Sequence, residues 1–356
     1  MEVEIELKLI TQALAGPIIV EKLLPQLDVT VAQSEVELSN SYFDTFNRDF
    51  RKNDMGLRIR GCQHHYEQTL KTAGQGVSGL QQRPEYNISL GIHQHKAPET
   101  PELGLFPANV WPDNFDMLSV QKALICQFST HFIRTQFLLT WKDKTQVELV
   151  WDRGQVLASG RSVAINEMEL ELKVGNVAIL FDLAKQIAAL MPVTVGLLSK
   201  AARGYRLMDE AKSDYMPKPV KSPVAICSQN DIQHGDIHAL SSYLAKTLKN
   251  WQNMSLLIPN QQNKWAQWGA ELNNNLALLE KIMQQLNTKL QDSPLQHSIE
   301  AVHEIQSRLD TLQVEIAQQS TQVQKVAAEE GLLALISDKR CIELQLGIMQ
   351  WLSKDL

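Results

Sequence analysis

Met1-Glu2-Val3-Glu4-Ile5-Glu6-Leu7-Lys8-Leu9 opens the chain, and Glu2, Glu4, Glu6 and Lys8 alternate strictly with Val3, Ile5, Leu7 and Leu9. Period two is the mark of a β-strand, because successive side chains leave opposite faces. One face is apolar. The other carries three carboxylates and an ammonium within about 20 Å, at roughly 3.3 Å per residue. Acids stacked this closely repel unless positive charge sits among them, and a divalent cation would supply it. Residues 167–173 repeat the pattern: Glu167, Glu169, Glu171 and Lys173 share a face backed by Met168, Leu170 and Leu172.

Between these two acidic strands lie strand-like runs with basic or mixed faces. Arg58 and Arg60 alternate with Leu57 and Ile59, and Glu67, Thr69 and Lys71 share a parity. So do Gln81, Arg83, Glu85 and Asn87; Arg134 follows Phe132-Ile133, and Gln146, Glu148 and Asp152 flank Val147, Leu149, Val150 and Trp151. A solvated face scatters its charges without consequence. Six or more strands with both signs clustered at two-residue spacing point instead to a closed antiparallel β-barrel. Its polar interior would gather acids and bases into one lumen, with flanking helices over the apolar outside.

The chain has 356 residues and 44% hydrophobic content, which is room for two domains with cores of their own. Cys62, Cys126, Cys227 and Cys341 are isolated and match no zinc or disulfide spacing. The charged first strand leaves no signal peptide, and no apolar run approaches membrane-spanning length, so a cytoplasmic protein without membrane association is expected. A net charge of −6 argues against general nucleic-acid binding.

Strand-like alternation ends near residue 210, after helices expected at Pro17–Leu27 and Val177–Leu190 and an irregular, proline-containing excursion over 91–116. Pro217, Pro219 and Pro223 mark a linker. Beyond it, Leu272, Leu276, Leu279, Met283, Leu286 and Leu290 form one helical stripe, and Ile299, Val302, Ile305, Leu309, Leu312 and Ile316 the next. With Ile237–Leu257 and Val323–Leu352 they predict a bundle of about four helices. The fold class is therefore α+β: a barrel domain over 1–206, a linker over 207–230 and an all-α bundle over 231–356.

Glu4-Ile5-Glu6-Leu7-Lys8 resembles the ExExK signature of the CYTH superfamily, the triphosphate tunnel metalloenzymes. Tyr42-Phe43-Asp44-Thr45, the run from Asp54 to Gly61, the run from Gly79 to Asn87 and the run from Leu198 to Tyr205 extend the resemblance over residues 1–206. Together they resemble the bacterial CYTH–CHAD inorganic triphosphatases. The bundle is similar to part of a CHAD domain in position and helix count. CHAD domains are usually basic and thought to bind polyphosphate, but residues 231–356 carry 10 Lys and Arg against 14 Asp and Glu. A packing or protein-partner role suits that charge better.

The resemblance implies hydrolysis of inorganic triphosphate to diphosphate and phosphate. Lys8, Arg58, Arg60, Lys71, Arg83 and Arg134 are the expected phosphate-binding residues, since alternating cations can neutralise oxygens along a triphosphate. The resemblance places Lys200 and Arg203 at one tunnel end, where they would clamp substrate or plug the tunnel. Glu4, Glu6, Glu169 and Glu171 are the expected metal ligands, for Mg²⁺ or alternatively Mn²⁺. Glu148, Glu171 and Lys8 are the candidates for the catalytic step. Glu2 and Glu167 are expected at strand ends, solvated or ligating, while Glu85 and Asp152 would orient neighbouring arginines. Three alternatives stay open: hydrolysis of thiamine triphosphate or another organic triphosphate, adenylate cyclisation, and non-catalytic polyphosphate binding.

Overall fold

The computed structural model describes residues 2–11, 15–93, 98–210, 225–257, 265–290, 294–318 and 330–355. The three linker prolines and the expected helical residues 323–329 lie outside the described residues. The chain divides into two units: residues 1–76, 80–180 and 198–217, and residues 77–79, 181–197 and 218–356.

The first unit contains β1 (Glu2–Ile10), β2 (Val29–Asp44), β3 (Gly56–Cys62) and β4 (His65–Lys71), followed by the short β5 (Gln75–Val77). β6 (Leu80–Ile92), β7 (Ile125–Trp141), β8 (Gln146–Ala158) and β9 (Arg161–Val174) complete it. Eight of these strands run in the order β1-β9-β8-β7-β2-β3-β4-β6, and β6 pairs back onto β1 to close a barrel. Every one of those pairings is antiparallel. The barrel expected from alternation is present. Strand β2 is not among the strand-like runs read from charge alternation; its uncharged first part from Val29 to Ser34 pairs along β7.

Closure puts the two faces of each strand in different media. Leu7, Leu9, Phe137, Leu139, Val147, Leu149, Met168 and Leu170 are buried on the outward parity. Part of the outside is covered by the segment after β6, which places Leu103, Phe106, Val120 and Leu124 against Phe43, Phe50, Leu57, Ile59 and Leu70. The expected irregular excursion is thus an apolar cover. Its anchor is reciprocal: Gln68 Nε2 donates to the Glu102 carbonyl at 2.9 Å and Gln68 Oε1 accepts from the Glu102 N–H at 2.8 Å. Before β2, the expected helix is present over Ala15–Gln26, widening to a π-helix at Ile19–Leu23 and tightening to a 3-10 turn at Leu24–Gln26.

The inward face is not polar throughout. Towards one end it carries Leu38, Tyr42, Phe128, Phe132, Val156, Ala158 and Ile165, which enclose Tyr205 and Leu207 of the helix Lys200–Glu210. That helix continues four residues past 206. Strand geometry therefore yields a charged lumen stopped at one end by an apolar plug.

In the second unit the helices Ile237–Leu257, Trp265–Lys289, Gln296–Gln318 and Lys339–Leu352 pack consecutively, and the last also returns to the first. Leu244, Trp251, Leu276, Met283, Val302, Ile305, Ile342 and Met349 are buried among them. The expected helix over 323–352 is interrupted at 337–338, where the Ser337 hydroxyl donates to the Leu333 carbonyl and Asp338 caps the following helix through the Arg340 N–H. No described helix is long and apolar enough to cross a membrane.

Gly154 on β8 lies so close to β7 that a Cβ there would stand 2.1 Å from the His131 carbonyl oxygen and 2.5 Å from Phe132 Cα. Backbone atoms cannot swing aside. Gly154→Ala is expected to cost about 2 kcal/mol or more, read as a lower urea midpoint; an unchanged midpoint would show that the strands tolerate separation.

Candidate functional site in the barrel lumen

The inward parity of four strands and one helix meets next to the plug. β8 contributes Asp152, β9 contributes Glu167 and Glu169, β1 contributes Lys8 and β7 contributes Arg134. Lys200 and Arg203 enter from the helix Lys200–Glu210. The Lys200 ammonium stands 2.6 Å from Asp152, 2.6 Å from Glu167 and 3.0 Å from Glu169. Arg134 makes a two-pronged bond to Asp152, Nε at 2.8 Å and Nη2 at 2.7 Å, and reaches Glu169 at 2.8 Å. Lys8 pairs with Glu169 and lies 3.3 Å from Glu167, which also receives Arg203.

Three acids and four bases are thus buried together. Burial alone would push Glu169 towards its neutral form, but Lys200, Lys8 and Arg134 outweigh it and hold the carboxyl well below its usual range. Asp152 is depressed against the same burial by Lys200 and Arg134. Lys8 and Lys200 are conversely held above the usual lysine value, despite burial, by these carboxylates. Carboxylate oxygens of Asp152, Glu167 and Glu169 lie within 4.8 Å of one another, close enough to hold a metal ion. In this structure the ammonium and guanidinium groups fill that role.

A second zone is charged less evenly. Antiparallel register sets Glu6 opposite Glu171, and Glu171 opposite Glu148. Glu4 shares the Glu6 face; it pairs with Lys71, which also reaches Glu85 at 3.1 Å. Burial pushes Glu4 up to about 7, with Lys71 opposing and Glu6 and Glu85 adding to the rise. Glu171 is raised by burial and by Glu148, with Lys173 opposing at 2.5 Å. Glu148 accepts from Gln136 Nε2 at 2.7 Å, and Glu6 forms no ion pair among the described residues. Glu85 goes the other way: Lys71 and Arg58 overcome burial and bring it to about 2.

Arg60 shows the opposite imbalance. Arg60 donates to Asn40 Oδ1 at 2.9 Å, and Asn40 is itself fixed by Thr130 at 2.9 Å. Burial, then Arg58 and Arg134, lower Arg60 to about 9. Arg58 reaches Glu85 at 3.5 Å, while its buried Nε has no hydrogen-bond partner among the described residues. The lumen therefore holds acids short of positive charge and, in Arg60, an arginine short of negative charge, whereas Tyr42, Glu85 and Glu4 hold Arg58 above its usual value against burial.

Among the residues expected from the sequence, Lys8, Arg134, Lys200, Arg203 and Glu169 gather at the plugged end. Glu4, Glu6, Glu148, Glu171, Arg58, Arg60 and Lys71 occupy the second zone. Arg83 turns to the Thr72 carbonyl at 3.0 Å and the exposed Asp54 carboxylate at 3.0 Å. Glu167, expected at a strand end, lies mid-strand and fully buried because β9 begins at Arg161. Asn40 carries no charge to mark it in the sequence, although its parity with Tyr42 on β2 makes it inward-facing.

The model of the CYTH domain family matches residues 2–205. An inorganic triphosphatase of Haemophilus influenzae is 36% identical over 208 residues, covering 57% of this chain and 54% of that protein. The matched region thus spans about half the length of that relative. A solved Hippeastrum protein, described as a putative adenylyl cyclase with a dominant triphosphatase activity, is 17% identical with a TM-score of 0.40 over 58% of this chain and 96% of that one. A Pyrococcus horikoshii protein is 15% identical with a TM-score of 0.36, covering 57% of this chain and 99% of its own. Neither score is high enough to bear on the fold.

Two measurements check the electrostatics. Arg134→Ala removes one of the cations paired with Asp152 and Glu169, leaving them Lys200, and is expected to cost about 3 kcal/mol by urea denaturation; a loss near zero would mean the network does not depend on Arg134. Glu4 is expected to titrate near 7 in metal-free protein by carboxyl-carbon NMR. Its raised value favours the native state in acid and withdraws that contribution as pH climbs from about 4.5 to about 7. A Glu4 midpoint near the ordinary carboxylate value would contradict the imbalance.

Proposed function

Because the chain belongs to the CYTH family, we propose that its barrel hydrolyses inorganic triphosphate to diphosphate and phosphate with a divalent cation. One observation carries this reading: in a single lumen burial pushes Glu4 up to about 7 and Arg60 down to about 9. Each charge is disfavoured by burial and by like-charged neighbours. A cation beside the acids together with a polyanion along the arginines relieves both.

The donor set fits a hard cation. Glu4, Glu6 and Glu171 are oxygen ligands gathered by register, with Glu169 two residues along β9, and Mg²⁺ takes a few carboxylates together with phosphate oxygens. Mn²⁺ suits the same donors. When bound, the ion supplies Lewis acidity towards the phosphoryl oxygens. The unpartnered Arg58 Nε fits an incoming anion in the same way.

The side chains divide the remaining work. Arg58, Arg60 and Lys71 bind the phosphate chain, with Lys8, Arg134, Lys200 and Arg203 at its inner end and Arg83 at the rim. Arg60, already deprived of a counter-charge, gains most from the anion. Glu148 and Glu171 orient the attacking water, and Glu171, with its raised pKa, is the better acceptor for its proton. Lys8 offsets charge developing on the transferred phosphoryl group.

Inorganic rather than organic triphosphate is favoured by where the rings lie. Tyr42, Phe128 and Phe132, the inward aromatic residues of β2 and β7, are buried in the plug, and Tyr42 stacks on Phe128 at 4.7 Å. They offer no platform for a base or thiazole. We assign catalysis to residues 1–206 and take 207–230 as a linker and the bundle over 231–356 as a docking module for a protein partner.

Phosphate release from inorganic triphosphate, thiamine triphosphate and ATP, each with Mg²⁺ and with chelator, tests the reading. The expected result is chelator-sensitive preference for inorganic triphosphate, abolished in folded Glu6→Ala. Turnover that survives both chelator and Glu6→Ala would overturn the metal assignment, and preference for an organic triphosphate would overturn the substrate.

A further inference from the structure

Two of the sequence motifs, Tyr42-Phe43-Asp44-Thr45 and the run from Leu198 to Tyr205, meet at a point the proposed chemistry does not use. The Asp44 carboxylate is fully buried. It accepts hydrogen bonds from the N–H groups of Thr45 at 2.8 Å, Phe50 at 2.9 Å and Arg51 at 3.1 Å, which fasten it to the turn after β2. Its fourth partner comes from far along the chain: the Tyr205 hydroxyl donates to Asp44 Oδ2 at 2.6 Å.

Everything around Tyr205 seats the same helix. The Phe128 ring meets the tyrosine edge-on at 5.0 Å, and the Arg51 guanidinium lies 4.5 Å above it. A Cβ at Gly204 would stand 2.2 Å from the Phe128 ring, so the glycine lets the helix backbone approach the barrel wall. Arg48 adds a second tether through two hydrogen bonds to Asp209, at 3.2 Å and 2.5 Å. Lys200 lies at the other end of this helix, with its ammonium among Asp152, Glu167 and Glu169. A helix advances about 1.5 Å per residue and transmits displacement as a rod, so the seat at 204–209 sets how far Lys200 reaches.

We propose that Asp44 and Tyr205 form a lock that positions Lys200 in the lumen, making Tyr205 a positioning residue that acts through Lys200 without touching substrate. This rests on the triphosphatase reading, and it extends that reading to groups outside the lumen's charged zones.

The test is a double-mutant cycle on the full chain. Tyr205→Phe keeps the ring and removes only the hydroxyl. It is expected to lower kcat/KM for inorganic triphosphate about tenfold or more, but by less than about twofold in a Lys200→Ala background. The loss of thermal stability should be the same in both. Gly204→Ala, which keeps the Tyr205 hydroxyl but forces a Cβ against the Phe128 ring, should show the same dependence on Lys200. An equal kinetic loss in both backgrounds, or wild-type kinetics for Tyr205→Phe, overturns the lock.

A second readout separates this inference from the activity beneath it. Acylation of the Lys200 amine, followed by peptide mass spectrometry, should be slow in the wild type and about tenfold faster in Tyr205→Phe. If the wild type hydrolyses no triphosphate, the functional reading fails, and the labelling alone decides the lock. An amine equally protected in wild type and variant overturns it.

Discussion

Asp152, Glu167 and Glu169 can be buried side by side only because Lys8, Arg134, Lys200 and Arg203 are buried with them. Moving a charge out of water costs several kcal/mol after relaxation, and only close, hydrogen-bonded partners return it. Those partners come from two strands and a helix separated by up to 195 positions in sequence, Lys8 to Arg203. Register across β1, β9, β8 and β7 is therefore an electrostatic requirement as well as a packing one. A one-residue slip would send this face of acids and bases into the apolar cover and bring Leu170 and Trp151 inwards.

The second zone lacks this balance, and the contrast gives the lumen direction. Near the plug, each acid has cations within hydrogen-bond reach, and those cations hold Asp152 and Glu169 below the usual carboxylate range. Further along, Glu6, Glu148 and Glu171 cluster, and Arg60, crowded by Arg58, has no ion-pair partner of its own among the described residues. A protein selected for stability alone would pair these charges. Leaving Glu4, Glu171 and Arg60 incompletely compensated in one cavity makes the imbalance available to a ligand carrying both signs, as the proposed metal-bound triphosphate would.

Much of the barrel was legible because alternation reports face directly. Glu4, Glu6, Lys8, Glu169 and Glu171 could be placed on one inward surface from parity alone. Depth could not. Glu167 read as a strand terminus because the residues before it, Ser162-Val163-Ala164-Ile165, carry no charge signature, yet β9 continues through them and buries it. The apolar plug was invisible for a related reason. Phe128, Phe132 and Val156 share the inward parity with Arg134 and Asp152, and only the entry of Tyr205 and Leu207 explains why hydrophobic residues belong inside. Strand β2 is not legible by the same criterion, because Val29-Thr30-Val31-Ala32 alternates without charge.

The central claim is that the lumen's acidic deficit and basic deficit are two halves of one binding site. Calorimetric titration of Mg²⁺ and of a non-hydrolysable imido analogue of triphosphate, separately and then each in the presence of the other, tests it directly. After correction for their pairing in solution, each should bind about tenfold or more tightly when the other is present, since coupling between sites is reciprocal. Affinities that are unchanged by the second ligand would contradict the account.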